Sequence, residues 1–190
     1  MVAQSTLDRE AELDALENHV HKALRLARRS GASAAEATTH SSLGLSVNVR
    51  LGEVETLEQM RDRGISITVL IGHRKGSASS ADLSSKSIED CVRHALDIAR
   101  FTQEDSCNGL ASPDLLARAF PDLDLWHPSA VDAETAIARA LLCENAGRSD
   151  ERIRNSEGAS FDAGVGLAVY GNSNDFIGRS AGTHLSLIHI

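Results

Sequence analysis

"SLGLSVNVRLGEVETLEQMRDRGISITVLIG", residues Ser42 to Gly72, decides the fold class. Leu43, Leu45, Val47, Val49 and Leu51 recur at every second position, with Ser42, Gly44, Ser46, Asn48 and Arg50 between them. Successive side chains of a strand point to opposite faces, so the pattern predicts a half-buried strand with one apolar side. Gly52-Glu53 interrupts it, Val54 to Met60 reads as a second strand, and Arg61-Asp62-Arg63-Gly64 reads as a turn. Ile65, Ile67, Val69 and Ile71 then alternate as a third strand. Three consecutive strands with short connections predict an antiparallel meander. Glu53 and Glu55 share a face of the second strand, where a solvated edge explains them better than a catalytic carboxylate pair.

Helices are expected on both sides of this meander. Leu13, Leu16, Val20, Leu24 and Ala27 form one apolar stripe on a helix from about Thr6 to Ser30, ended by Gly31. Lys22, Arg25, Arg28 and Arg29 fall in its last turns, where they compensate the helix dipole as a solvated cluster. Ile88, Val92, Ala95 and Ala99 mark a second helix ending near Phe101, with Ser84, Ser85 or Ser87 as its N-cap. "ASPDLLARAF" predicts a short third helix opened by Ser112 and Pro113. "PDLDLWHP" reads as an extended connector and domain boundary, separating an N-terminal α+β domain, 1–120, from a region 121–190 that begins a second β-rich part. That region holds a helix from about Asp132 to Ala146 with Ile137, Ala140 and Leu141 inward. It continues into strands marked by Val165, Leu167 and Val169, with a turn at "GNSND". The expected class is α+β, an antiparallel meander flanked by helices.

Composition narrows the function. The chain has 190 residues, 3% aromatic, and a formal net charge of -8, so its core is aliphatic and its surface repels a phosphate backbone. Nucleic acid is therefore an unlikely partner. The start of the sequence is acidic and amphipathic, with no basic segment leading into an apolar one, and a cytoplasmic location is expected. Three widely spaced cysteines, Cys91, Cys107 and Cys143, read as reduced thiols rather than a disulfide framework or zinc knuckle.

Familiar catalytic patterns do not occur. No histidine is followed by Glu, and His19 and His21, two apart on a helix, point in different directions. A Gly-x-Ser-x-Gly elbow and a Gly-x-Gly-x-x-Gly fingerprint are both missing. "HRKGSASSADLS", His73 to Ser84, follows a strand and precedes a helix, as a phosphate loop would. Its order is Lys75-Gly76-Ser77, however, whereas phosphate loops end in Gly-Lys-Ser/Thr at the mouth of the helix. It is expected to be a loop whose serines cap the following helix.

Four separated stretches, "VRLGEVETLEQMRDRGISITVLIGHRKGSASSADLS", "TQEDSCNGLA", "FPDLDLWHP" and "RIRNSEGAS", together resemble the N-terminal part of PmbA-type, or TldE-type, members of the TldD/PmbA family. The resemblance runs from about Ala32 to Gly178. It implies a subunit of a TldD/TldE heterodimeric zinc metalloprotease that processes unfolded or peptide substrates. Zinc would be carried by the TldD-like partner, whose His-Glu-x-x-x-His motif has no counterpart here, so no residue inherits a catalytic or metal role. Asn155, Ser156 and Glu157 are the candidates for substrate contact, with a plain turn as the alternative role. The rival function is a noncatalytic module that binds peptide or protein without a protease. The last six residues, "LSLIHI", resemble translated sequencing-adapter text, and a truncated frame with a spurious tail at 185–190 is expected, a genuine strand end being the alternative.

Overall fold

Two unusually long strands carry the alternating stretch. The computed structural model describes residues 8–190. In chain order it contains α1 (Arg9–Arg29), β1 (Ala34–Arg50), β2 (Glu53–Ile71), β3 (Arg74–Ser80), α2 (Ser85–Phe101), one 3-10 turn (Pro113–Leu115), α3 (Ala133–Arg148), β4 (Ala159–Asn172) and β5 (Phe176–His189). All neighbouring strands are antiparallel, in the order β3-β2-β1-β4-β5. This is the α+β class read from the sequence, and the meander is β1-β2-β3. The strands expected to begin a second β-rich region, β4 and β5, lie in the same sheet, with β4 beside β1.

The meander is divided differently from the expectation. Arg61 to Gly64 is no turn: these residues stay extended and pair with Leu43 to His40, so the expected second and third strands are one strand, β2. "HRKGSASSADLS" is no loop either, because Arg74 to Ser80 form β3 against Ile71 to Ile65. Lys75 sits opposite Leu70 inside that ladder, which removes any phosphate-loop geometry. β1 begins at Ala34, well before Leu43, on the small alternating residues Ala35, Ala37, Thr39 and Ser41.

Alternation also explains the layers. Ala35 and Ala37 of β1 pack in a cluster with α1 and α2, and Leu45, Val47 and Val49 pack in a second cluster with α3. All are odd-numbered residues of one strand whose pairing with β4 is unbroken, so the three helices cover one face of the sheet, side by side along the strands. The other face carries Thr38, His40, Ser42, Gly44, Ser46 and Asn48. Small residues let α1 approach closely: Leu13, Leu16, Val20, Ala23 and Ala27 are buried, and the Thr39 hydroxyl donates to the Leu16 carbonyl. The expected helix start at Thr6 lies outside the described residues; Asp8 caps the helix by accepting the Ala11 N–H.

Ser84 is the cap of α2, its hydroxyl accepting the Ser87 N–H, and such a cap is typically worth about 1 kcal/mol. The helix predicted at "ASPDLLARAF" shrinks to a single turn with no buried residue, because without a packed apolar face so short a helix does not persist. The connector runs on to the outer side of β5, where the Leu125 carbonyl accepts the Thr183 N–H at 2.9 Å and Phe120 packs edge-on against Phe176. Arg179 of β5 ties down α1 through Asp14 and Glu17, with Glu10 at 3.9 Å. Among the described residues no helix is long and apolar enough to cross a membrane.

Candidate functional site

Asn155, Ser156 and Glu157 lead into β4 beside the β1–β2 hairpin tip. Asn155 and Glu157 are exposed, whereas Ser156 is buried. The Ser156 hydroxyl accepts the Gly158 N–H at 3.0 Å and lies 3.1 Å from His189 Nε2, and its carbonyl accepts from Arg50 Nε. Arg50 also sits 3.9 Å from Glu157 and 4.0 Å from Glu55. Gly158 has φ of +110°, and a Cβ there would stand 2.3 Å from the Val49 carbonyl oxygen, so the segment is held tightly against β1. In this arrangement Ser156 shapes the turn, and Asn155 and Glu157 are the two members that face solvent.

A residue the sequence reading passed over organises the same corner. Glu144 of α3 is fully buried, and its carboxylate accepts the N–H groups of Leu51 (2.7 Å) and Gly52 (2.8 Å) at the hairpin tip. Burial alone would raise its pKa. The Gly52 and Leu51 amides and the Ser156 hydroxyl, with Arg148 nearby, outweigh that and hold the carboxyl below its ordinary value. The only signal in the sequence is its place at a four-residue step after Ala136 and Ala140, both buried.

The sheet leaves backbone edges that can take an extended chain. β3 pairs with β2 on one side only, and α2 covers its helix face, where Gly76 lies against the α2 backbone. Arg74 and Lys75 are exposed at its start. β2 pairs with β3 only from Ile65 onward, so among the described residues Glu53 to Arg63 has β1 on one side and no strand on the other. A cavity of about 540 Å³ also opens between the C-terminal half of α1 and the β4–β5 turn, lined by Arg25, Arg28, Asn172 and Asp175 among others. Lys22 turns elsewhere, donating to the Ser85 carbonyl and pairing with Glu89.

The residues present do not fit a metal centre. Among the described residues no group of three or more His, Cys, Asp or Glu side chains converges; His40–Asp62 and His127–Asp124 are exposed pairs of two donors each. His19 and His21 do not meet at one point, and His21 contacts Glu17.

Residues 35–99 match the family model described as PmbA/TldA metallopeptidase domain 1. The chain is 43% identical over 184 residues to a protein named Metalloprotease PmbA homolog from Haemophilus influenzae, and 46% identical over 180 residues to Metalloprotease PmbA from Escherichia coli O157:H7. The chain belongs to the PmbA/TldD family. The matches cover 96% and 94% of this chain and 41% and 40% of those relatives, so the chain spans about two fifths of their length. Among solved structures of this fold, a Bacteroides thetaiotaomicron protein named for a proposed modulation of DNA gyrase superposes with a TM-score of 0.82 at 27% identity. That match covers 92% of this chain and 40% of the other. TldE from Thermococcus kodakarensis shares the fold, with a TM-score of 0.68 at 14% identity, covering 90% of this chain and 39% of that one. The PmbA/TldD assignment accounts for the sheet and flanking helices, and the names of the PmbA relatives connect the family to metallopeptidase activity.

Proposed function

We propose that this chain is the N-terminal part of a TldE-type subunit in a heterodimeric zinc metalloprotease of the cytoplasm, and that it guides extended peptide or unfolded protein toward a zinc carried by a TldD-like partner. The part described here contributes docking rather than bond cleavage. What supports the reading, besides the identity to PmbA relatives, is the one-sided pairing of β3. An antiparallel sheet with a free outer strand can add a peptide as a further strand, main-chain hydrogen bonds giving affinity irrespective of sequence. That suits a protease subunit whose substrates share an unfolded backbone rather than a motif. Arg74 and Lys75 then stand at one end of the added strand, where they favour acidic residues of the peptide.

Proline tests this directly, because it removes a backbone donor. Ser77→Pro and Ala78→Pro together sample both directions in which β3 N–H groups point. The variant that keeps the sheet folded should abolish peptide crosslinking to this edge, and unchanged crosslinking in both variants counts against the docking role.

A further inference from the structure

The free half of β2 has a charge order that fits one particular occupant. Glu53 to Arg63 is exposed along its whole length, in contrast to Ile65, Ile67 and Val69 further along the same strand, which are buried. At its odd-numbered positions Glu53 and Glu55 stand at one end and Arg61 and Arg63 at the other, while Glu58 and Asp62, which pairs with His40, lie on the face opposite to Arg61 and Arg63. Charges of a single sign on an edge would repel a second copy of the same strand. At the odd-numbered positions the two ends have opposite sign. Laid antiparallel on itself about Glu58, Glu53 of one strand faces Arg63 of the other and Glu55 faces Arg61, giving four opposite-charge pairs across the two-fold axis.

We infer that this chain associates with a second copy of itself through the Glu53–Arg63 edge of β2, joining two five-stranded sheets into one. Isologous contacts of this kind require a self-complementary patch, and this segment is one. Val54, Leu57 and Met60, which are 42%, 47% and 53% exposed, supply apolar surface that such pairing buries. Gly64 marks where the free edge ends, since β3 takes over the pairing at Ile65. The inference concerns a different edge from the β3 docking role and stands independently of it.

Two charge-reversed variants decide the matter, because their residues are exposed and the fold does not depend on them. Glu53→Lys/Glu55→Lys makes the charges at the odd-numbered positions basic throughout, and Arg61→Glu/Arg63→Glu makes them acidic. Sedimentation velocity up to about 100 µM should show a reversible dimer for the natural chain and weakening of roughly tenfold or more for each variant alone. The equimolar mixture should recover the dimer, since all four charge pairs opposed at the odd-numbered positions are then complementary. In the natural chain, amide exchange at 53–63 should slow as concentration rises. A natural chain that stays monomeric overturns the inference, as does dimerisation of both variants as tight as that of the natural chain. Protection of these amides only on adding a peptide or a different protein overturns it too.

Discussion

Glu144 reaches from α3 to the backbone N–H of Gly52, ninety-two positions earlier, at 2.8 Å, and its second oxygen takes the neighbouring N–H of Leu51. One carboxylate thus satisfies two donors of a turn whose residues both have positive φ, 51° at Leu51 and 86° at Gly52. It fixes α3 to the tip of the β1–β2 hairpin, and with Ser156 it sets how β4 enters the sheet.

Removing that carboxylate should cost far more than an ordinary surface change. Glu144→Ala leaves two backbone donors of the hairpin tip without their acceptor and opens space beside Ala140. A loss of about 2–4 kcal/mol is expected from urea unfolding. A loss below about 0.5 kcal/mol would mean that water replaces the carboxylate at no cost.

Acid should act through the same group. Its folded-state pKa lies below the ordinary 4.5, so the unfolded chain takes up the proton first as pH falls. The stabilisation is complete above the unfolded value and is lost as pH drops through the folded one. Urea midpoints measured from about pH 6 downward should therefore fall more steeply in the natural chain than in Glu144→Gln, which has no proton to gain there. Parallel acid limbs would remove Glu144 from the account of acid stability.

Gly76 should tolerate no side chain. A Cβ there would lie 2.0 Å from the Ala95 carbonyl oxygen and 2.5 Å from the Ala99 nitrogen, both backbone atoms of α2. Gly76→Ala must push α2 off β3, at a cost of about 3 kcal/mol or more. Thermal unfolding would show it as a drop of many degrees, and an unchanged midpoint would mean that the two elements do not pack this closely.

Leu51 offers the opposite sign. It holds φ of 51° while 54% exposed, a conformation that Asn adopts more readily. Leu51→Asn should raise stability by about 0.5–1 kcal/mol, with the Glu144 contact intact because only the backbone N–H is used.

Much of this architecture was legible from periodicity. The stripes of α1 and α2 and the alternation of β1 name buried residues directly, and Asp132 and Ser84 cap helices as their types suggest. The errors share a physical cause. Gly and charged residues are turn signals in most sequences, but here they serve a strand. Gly64 is needed because a Cβ would stand 3.0 Å from both the His40 ring and the Ser80 carbonyl oxygen, and Arg61 to Arg63 are polar because that edge faces water. Gly76 is needed for α2, so β3 looks like a loop on composition alone. The first half of β1 was missed because its buried residues are Ala, Thr and Ser, small enough for α1 to pack close but weak as a hydrophobic signal. Glu144 escaped notice because a carboxylate on an inward stripe is recognisable only once the donors that satisfy it are seen.

Pairing with a zinc-bearing partner, on which the proposed function depends, is open to direct measurement. A tagged chain should be mixed with a TldD-like subunit carrying zinc, and co-elution on size exclusion followed together with cleavage of an unfolded polypeptide. A stable complex is expected, in which cleavage is lost when the partner's zinc is chelated and regained when zinc is restored. Elution of the two chains as separate species, with cleavage unaffected by adding this one, would contradict it and leave a peptide-binding module outside any protease.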